Sequence, residues 1–290
     1  TPKTMAGRRV LITAGPTAEA IDPVRVVTNL SSGRMGYALA CAAARAGAEV
    51  TLISGPTGLA KPFGVERVDV SSAQSMHDAV LSRYAACDVF IAVAAVADYR
   101  PAAPSDRKIK KSADTLSIDM VRNPDILADI AARADAPFCV GFAAESHDLD
   151  TYAQGKRVAK KLPLVVGNLV ADGLGSEDNA VVLYDADGRH PLARASKPDI
   201  ARAISKRGAR AYSLNALTIS FIASTCCTIV SVPRSSSWAS FSFIDGSSLC
   251  RIRSAESWIG VSGFLISCAS RRATSPHAAS RCACSMTVMS

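Results

Sequence analysis

Residues 13–36 carry a dense set of side chains that can bind anions or donate hydrogen bonds. This segment lies between an apolar run at 10–12, which predicts a strand, and an alanine-rich run at 37–46, which predicts a helix. A strand-to-helix connection needs only about two to six residues, so the extra length predicts a functional role. Small residues before a helix N-terminus let backbone N–H groups approach a phosphate. They form a predicted phosphate loop of Ser31, Ser32, Gly33 and Gly36.

More polar clusters follow the later strand-like runs, where ligands bind in an open parallel sheet. Lys156 and Lys160 share one helix face, and like charges at this i, i+4 spacing repel unless an anion or a carboxylate lies between them. A solvated basic face is the alternative for this pair. Asp98 could instead cap a turn, and Asp125 could instead complement a helix dipole. The other clusters occupy residues 92–101, 108–111, 123–126 and 141–145.

The elements that must position these clusters alternate along the first two thirds of the chain. The alternation predicts an α/β fold, a Rossmann-like, mostly parallel sheet flanked by helices. An Asp-Gly turn within residues 179–192 predicts a small β-hairpin extension, and Ser196 and Pro198 predict the start of a closing helix. Strands are predicted at 10–13, 49–54, 67–70, 89–93, 116–121, 139–142 and 164–166, and helices at 34–46, 73–86, 124–134 and 148–161.

The composition changes sharply near residue 205. Residues 206–290 hold nine basic and two acidic residues, a net charge of +7, so only +1 of the total of +8 remains for the rest. Nothing in the nearly neutral first part demands nucleic acid. The tail is rich in Ser and Cys, lacks helix caps and shows no steady period, which predicts an irregular, poorly folded segment; a second domain is the alternative. We therefore expect a linker remnant at 1–7, a folded domain at 8–205 and an aberrant tail at 206–290.

The cysteines and the apolar runs bear on the compartment. Cys41, Cys87 and Cys139 lie in apolar stretches and are expected to be buried thiols of a cytoplasmic protein. The other six cysteines lie in the tail without the spacing that a zinc site requires. No apolar run approaches the eighteen or so residues of a membrane helix, so no membrane association is expected.

A dinucleotide-dependent oxidoreductase is one functional hypothesis for such a fold. It would place GxGxxG directly after the first strand and an acid at the end of the second strand to hold the ribose. Here the first strand is followed by Ala14-Gly15-Pro16-Thr17, and the second ends in Ile53-Ser54-Gly55-Pro56, without an acid. The pattern disfavours NAD(P), although this oxidoreductase remains an alternative.

Eight motifs follow one another along the first two thirds of the chain. They are ITAGPT, IDPVR, TNLSSGRMG, AAVADYRP, KIKK, NPDIL, GFAAE and the paired lysines before VVGN. In this order they resemble phosphopantothenate–cysteine ligase, in particular the ligase half of a bacterial bifunctional coenzyme A biosynthesis enzyme. The resemblance covers roughly residues 8–205 and departs from the family pattern at LPLVVGN, where Pro163 and Gly167 replace other residues.

The resemblance implies an enzyme that joins 4'-phosphopantothenate to L-cysteine. The family uses CTP, assisted by Mg²⁺, and forms an acyl-cytidylate before the amine of cysteine attacks. On this resemblance Asn29 holds the intermediate and Lys108 serves the activation half-reaction. Arg25, four residues before Asn29, is the third predicted catalytic residue. The implied nucleotide contacts are Ala92, Val93, Ala94, Asp98, Lys108, Asn123, Pro124, Asp125, Ile126, Phe142, Lys156 and Lys160. The metal ligands stay unassigned.

The resemblance also implies partners. The family is homodimeric, with a segment of one subunit reaching over the site of the other, and is fused to an N-terminal decarboxylase that binds FMN. We expect the opening TPKTMAGRR to be the linker to that half. Two further alternatives are a non-catalytic interaction module that works through its tail and a damaged ligase with intact motifs.

Overall fold

The computed structural model describes residues 3–111, 114–173 and 176–230, together with five short strands between 238 and 288. Side chains are described as far as residue 213. The chain divides into two compact units, Thr1–Thr218 and Ile219–Ser290. None of the described helices has the length and apolarity that a membrane span requires.

Strands and helices alternate through the first unit. The strands are β1 Arg9–Ala14, β2 Ala18–Ala20, β3 Val26–Thr28, β4 Glu49–Ser54, β5 Val65–Asp69, β6 Val89–Ala92, β7 Tyr99–Pro101, β8 Met120–Arg122, β9 Phe138–Glu145, β10 Leu164–Leu169, β11 Asp178–Asp185 and β12 Gly188–Ser196. The helices are α1 Arg34–Arg45, α2 Ala73–Leu81, α3 Ile126–Ala131, α4 Leu149–Ala159, α5 Val170–Gly173 and α6 Lys197–Val230, with a short 3-10 turn at Tyr84–Ala86.

The main sheet has eight strands in the order β12-β11-β10-β9-β6-β1-β4-β5. The six strands from β10 to β5 pair in parallel, and β11 and β12 add an antiparallel hairpin. Side chains alternate between two buried layers: Ile12 of β1 packs in the layer of α1 and α6, whereas Leu11 packs in the layer of α2 and α3. Both faces of the sheet are therefore covered, as in other parallel sheets. The predicted α/β fold is confirmed.

The predicted strand at 116–121 is wrong. Only Met120–Arg122 forms a strand, β8, and it pairs with β7 in a separate two-stranded sheet. The alternation of Leu116, Ile118 and Met120 satisfies the strand pattern, but these side chains are exposed in the chain. The alternation of apolar residues predicts an apolar face, but it does not predict whether another element covers that face. The predicted helices at 73–86 and 124–134 are shorter as well, because α2 ends at Leu81 and α3 spans Ile126–Ala131.

The long connection at 13–36 contains a hairpin that the sequence pattern did not reveal. Strands β2 and β3 pair antiparallel, with Ala18 opposite Thr28. The buried carboxylate of Glu19 accepts a hydrogen bond from the backbone N–H of Ala73 at 2.8 Å. This contact fixes the hairpin to the N-terminus of α2.

The closing helix extends beyond its predicted end. Its start is as expected, since the backbone N–H of Asp199 donates to the hydroxyl of Ser196 at 3.3 Å. The helix continues to Val230, so the expectation of irregular structure from residue 206 fails over this range. Extension of an existing helix needs no new nucleus, and Tyr212 packs against the core while its hydroxyl accepts a hydrogen bond from Arg8.

The described residues of the second unit include five short strands, and much of the predicted aberrant tail lies outside the described residues. The strands form a two-stranded and a three-stranded antiparallel sheet. The side chains of the six tail cysteines also lie outside the described residues. The strands are β13 Trp238–Phe241, β14 Cys250–Arg253, β15 Ser257–Val261, β16 Phe264–Ala269 and β17 Ala283–Val288.

The three remaining cysteines are free thiols. Cys139 is buried as expected, whereas Cys41 and Cys87 are only half-buried. Burial raises the pKa of both Cys87 and Cys139 to about 12. At neutral pH these two side chains are therefore protonated and poor nucleophiles.

Candidate active site

The order of the parallel strands creates a crevice between β1 and β6. Successive connections run toward β5 on one side of β1 and toward β10 on the other, so the chain segments after β1 and β6 separate above the sheet. Backbone hydrogen bonds join the two segments at their base. Ala95 N donates to Gly15 O at 2.9 Å, and Thr17 N donates to Ala95 O at 3.2 Å. Two neighbouring cavities open at this edge.

The larger cavity has a volume of about 750 Å³ and lies beyond the carboxyl ends of β6 and β9. Eleven of the twelve side chains predicted to contact a nucleotide line it, although they come from four separate motifs. Only Lys108 of that set does not line it. The eleven are Ala92, Val93, Ala94, Asp98, Asn123, Pro124, Asp125, Ile126, Phe142, Lys156 and Lys160.

Asn123 fixes one wall of the larger cavity. Its buried side chain donates from Nδ2 to Ala97 O at 2.8 Å and accepts at Oδ1 from Arg100 at 2.9 Å. The backbone N–H of Asn123 also donates to Asp98 O. These bonds use both ends of the amide, so this side chain orders the loop after β6.

Lys156 of α4 and Lys160, which directly follows α4, both line this cavity, and Lys160 faces the carboxylate of Asp125 at the start of α3. Lys160 Nζ lies 2.5 Å from Asp125 Oδ2, and Lys156 Nζ donates to Phe142 O. Asp125 also caps α3 through the backbone N–H of Ala128. Burial opposes the charge of Asp125, but the Lys160 and Ala128 hydrogen bonds outweigh it and lower its pKa. Desolvation, and next the charge of Lys160, lower the pKa of Lys156.

The smaller cavity, of about 180 Å³, borders the first and contains the predicted phosphate loop. Gly33 caps α1 with a left-handed φ of 75°, and a Cβ on Gly36 would lie 2.5 Å from the Cβ of Ala14. Glycine at these positions therefore lets α1 start directly against β1. Gly33 provides no side-chain cap, and among the first-turn N–H groups that of Arg34 donates weakly to Ser32 Oγ at 3.5 Å. Arg34, Met35 and Gly36, the first residues of α1, line the cavity. The loop residues that line the cavity are Ser31, Ser32, Gly33 and Gly36.

The opposite wall of the smaller cavity was not predicted from the sequence. It is formed by Asn168, Asn179 and Lys197, together with Val170 and Gly173. Lys197 is only 6% exposed and donates to the backbone carbonyls of Gly173 and Ser176. Desolvation, and next the charge of Arg34, lower its pKa. A signal was present, because a lysine in the first turn of a helix opposes the helix dipole and needs another reason to be there.

The three residues predicted to act in catalysis lie on or near the β2–β3 hairpin. Asn29 is exposed and its amide donates to Ala95 O at 3.1 Å, which places it at the boundary of the two cavities. Arg25 is paired with Asp22 and donates to Ile109 O at 3.0 Å. Lys108 lies within the described part of the chain. Its side chain is exposed and lines neither of the two cavities.

The region where a dehydrogenase binds ribose is filled by protein. The methyl group of Thr57 reaches the backbone of Gly15 and Gly33, since a Cβ on either glycine would lie 2.8 Å from it. The hydroxyl of Tyr37 bonds Ser54 at 2.9 Å and Thr57 at 3.1 Å, which holds this loop in place. The larger cavity lies on the other side of the crevice, beyond β6 and β9.

The carboxylates of the site are dispersed. Asp98, Asp125 and Glu145 line the larger cavity. Among the described side chains no group of three or more His, Cys, Asp and Glu could hold a metal ion by itself. A cation at this edge would therefore depend on ligand oxygens for most of its coordination.

The sheet order and the crevice define an α/β protein with a Rossmann-like fold. The chain belongs to the family of the DNA/pantothenate metabolism flavoprotein C-terminal domain, which matches residues 5–211. It is 53% identical over 209 residues to a coenzyme A biosynthesis bifunctional protein CoaBC of Vibrio cholerae, covering 70% of this chain and 52% of that protein. The protein of the same name from Escherichia coli K12 is 50% identical over 186 residues, 62% of this chain and 46% of that protein.

A solved structure agrees with these relatives. The C-terminal domain of a coenzyme A biosynthesis bifunctional protein CoaBC superimposes with a TM-score of 0.62 and 41% identity, over 72% of this chain and 97% of that structure. The predicted resemblance is confirmed. The chain spans about half the length of the curated relatives it matches.

Proposed function

We propose that this chain joins 4'-phosphopantothenate to L-cysteine with CTP, giving 4'-phosphopantothenoylcysteine, CMP and pyrophosphate. One observation carries the proposal: eleven nucleotide contacts inferred from dispersed motifs line a single cavity at the edge of the sheet where ligands bind. The proposed reaction has two steps. A carboxylate oxygen attacks the α-phosphorus of CTP and pyrophosphate leaves, and the cysteine amine then attacks the acyl carbon, losing a proton and expelling CMP.

The first step brings a carboxylate toward a triphosphate, so positive charge must offset their repulsion. Lys156 and Lys160 supply it from one helix face, and Asp125 holds Lys160 toward the cavity. The small side chains Ala92 and Ala94 leave the backbone accessible to a flat base. Cytosine is recognised on this proposal by main-chain groups near Asn123 and Phe142.

The phosphate of 4'-phosphopantothenate fits the smaller cavity. The N-terminus of α1, with its aligned N–H groups and partial positive charge, favours an anion there. Val93 and Phe142 line both cavities, so a molecule bound in the smaller cavity can extend its carboxylate into the larger one. The two substrates then meet beside Ala95.

Asn29 and Lys108 act on the reacting carboxylate in this proposal. Because the amide of Asn29 is neutral, it can donate a hydrogen bond to a developing oxyanion without holding the acyl-cytidylate anhydride in an ion pair. Lys108 directly precedes Ile109, whose backbone N–H donates to Asp22 Oδ2 and ties this segment to the hairpin. Arg25 supports Lys108 by holding Ile109 O.

Magnesium enters with CTP on this proposal and neutralises charge on the triphosphate. Asp98 and Glu145 are the carboxylates available to it in the larger cavity, besides Asp125, which is paired with Lys160. The phosphates and water would provide the remaining ligands, as Mg²⁺ prefers.

A homodimer would cover the apolar surface around the hairpin. Leu30 is 82% exposed, and Val24, Val26, Leu116 and Met120 are exposed as well. Removal of such side chains from water favours association. Pairing of two copies would also bring the basic segment 108–111 of one subunit to the active site of the other subunit. Lys108 would act in that site. The fusion to a flavin-dependent decarboxylase and the cytoplasmic location stay predictions.

Product formation tests the proposed function directly. The full chain should release pyrophosphate from CTP when 4'-phosphopantothenate is present, and form the amide product when L-cysteine is added. A fluorescence titration with NADH tests the oxidoreductase alternative. Binding of NADH without any pyrophosphate release from CTP would overturn the proposal.

A further inference from the structure

The smaller cavity contains one polar atom whose burial has no explanation within the fold. The side chain of Asn179, at the start of β11, is 4% exposed and lines the cavity. Its Oδ1 has no hydrogen-bond partner among the described residues. A buried acceptor in this state is unfavourable unless a donor satisfies it. The atom therefore indicates where a donor from outside the protein binds.

A second amide faces the same space. A Cβ placed on Gly173 would lie 2.9 Å from Asn179 Oδ1 and 3.0 Å from Asn168 Nδ2. The two amides thus surround a position that glycine leaves open. Asn168 Nδ2 donates one proton to Leu169 O at 2.8 Å, and an amide nitrogen carries a second proton for another acceptor. One wall of the cavity therefore contains both a hydrogen-bond acceptor, Asn179 Oδ1, and a hydrogen-bond donor, Asn168 Nδ2.

This arrangement selects a group that both donates and accepts a hydrogen bond. An alcohol or a secondary amide has this character, whereas a phosphate dianion cannot donate to Asn179. The N-terminus of α1 forms the other wall and favours an anion. A ligand that spans the cavity therefore carries an anionic group at one end and an alcohol or amide next to it.

We propose that Asn179 and Asn168 form a specificity site that binds the alcohol or amide adjacent to the phosphate of the acid substrate. The inference rests on the proposed function and adds to it the residues that distinguish 4'-phosphopantothenate from other phosphate monoesters. Lys197 supports the site, because it ties Gly173 O and Ser176 O to the start of α6.

Steady-state kinetics of the full chain test the site. Replacement Asn179→Ala should raise KM for 4'-phosphopantothenate about tenfold, the usual effect of one lost hydrogen bond, with KM for CTP unchanged. Asp178→Ala is the matched control, since Asp178 is the exposed neighbour on the same strand. Two substrate analogues identify the bound group, one lacking the alcohol and one with an ester in place of the amide. The wild-type chain should bind one analogue about tenfold more weakly, and Asn179→Ala should not distinguish it from the substrate.

A second variant covers the case in which Asn179→Ala does not fold. Gly173→Ala fills the open position with a methyl group and should raise KM for 4'-phosphopantothenate in the same way. The inference is overturned if Asn179→Ala binds and discriminates like the wild type, or if KM rises equally for all three substrates as the melting temperature falls. The activity of the wild-type chain distinguishes a failure of this inference from a failure of the proposed function. A wild-type chain that forms no product contradicts the proposed function.

Discussion

The guanidinium of Arg25 holds the buried carboxylate of Asp22 through hydrogen bonds from Nε at 3.0 Å and from Nη2 at 2.5 Å. The same pair binds both backbone groups of Ile109, since Ile109 N donates to Asp22 Oδ2 and Ile109 O accepts from Arg25. Residues 84 positions apart in sequence are thereby locked together. Lys108 directly precedes Ile109, so this pair limits where its ammonium group can reach.

Loss of the Asp22 carboxylate should release this segment. The Arg25 hydrogen bond holds the pKa of Asp22 well below its usual range, so Asp22 is charged at every pH used for assay. We expect Asp22→Asn to reduce pyrophosphate release and to speed tryptic cleavage after Arg107 or Lys108. Asp106→Asn, an exposed change in the same segment, should alter neither. Equal cleavage rates in both variants would contradict the positioning role.

The acid dependence of this anchor has a definite sign. A carboxylate whose pKa is lowered in the folded state stabilises the fold above its unfolded pKa, and this contribution is lost only as the pH falls toward the folded value. Tryptic cleavage of the wild-type chain after Arg107 or Lys108 should therefore remain slow even at mildly acidic pH. Rapid cleavage of the wild type in weakly acidic buffer, with the rest of the chain still folded, would refute this.

Substitutions of Asn29 test the stabilisation of the oxyanion. Asn29→Asp places a negative charge beside Ala95 O and the reacting carboxylate, and we expect it to lower the rate of amide formation by about a hundredfold or more. Asn29→Ala removes the donor without adding charge and should be less harmful. Circular dichroism controls for folding. A rate within a factor of two of the wild type in both variants would exclude a catalytic role.

Lysine 156 should give the reaction an alkaline limit. Desolvation, and next the charge of Lys160, lower its pKa, so it loses its proton at a lower pH than an ordinary lysine. We expect kcat/KM for CTP in pyrophosphate release without cysteine to fall at a lower pH than the one at which an ordinary lysine loses its proton. Lys156→Arg keeps the charge at high pH and should move this limb upward. An unchanged alkaline limb in that variant would show that another group titrates.

The extent of the folded domain can be tested by truncation. The predicted boundary at 205 falls inside α6, and it would remove Arg207, which pairs with Asp185, and Tyr212, which packs against Phe138. We propose that the folded domain needs α6 to about residue 213. A chain ending at Thr218 should melt at a higher temperature than one ending at Ser205. Equal melting temperatures would support the shorter boundary.

Strands and helices could be predicted from the sequence where the local pattern of apolar residues matches the element that the fold requires. The strand at Glu49–Ser54 and the helix beginning at Arg34 have the predicted bounds or start, because apolar periodicity and the following helix are local features. Eleven of the residues that line the larger cavity are ones that the family resemblance implied as nucleotide contacts, and they meet because motifs at the carboxyl ends of parallel strands lie at one edge. Their contact with a nucleotide stays a prediction.

Features that depend on distant partners could not be predicted in this way. Nothing local distinguishes Arg25 as a partner of Ile109 from an arginine that contacts substrate, because the partner lies in another segment. Asn179 resembles any polar residue at the start of a hairpin until its burial and its open acceptor are known. The apolar alternation at 116–121 likewise needed the structure, since these side chains remain exposed in the single chain.

The transfer of labelled oxygen tests the central claim most directly. The full chain is incubated with CTP, L-cysteine and 4'-phosphopantothenate whose carboxylate carries oxygen-18, and the products are analysed by mass spectrometry. An acyl-cytidylate predicts one labelled oxygen in CMP, because the carboxylate oxygen that attacked phosphorus leaves with it. Label in pyrophosphate or inorganic phosphate, or amide formation with no label in CMP, would contradict the account.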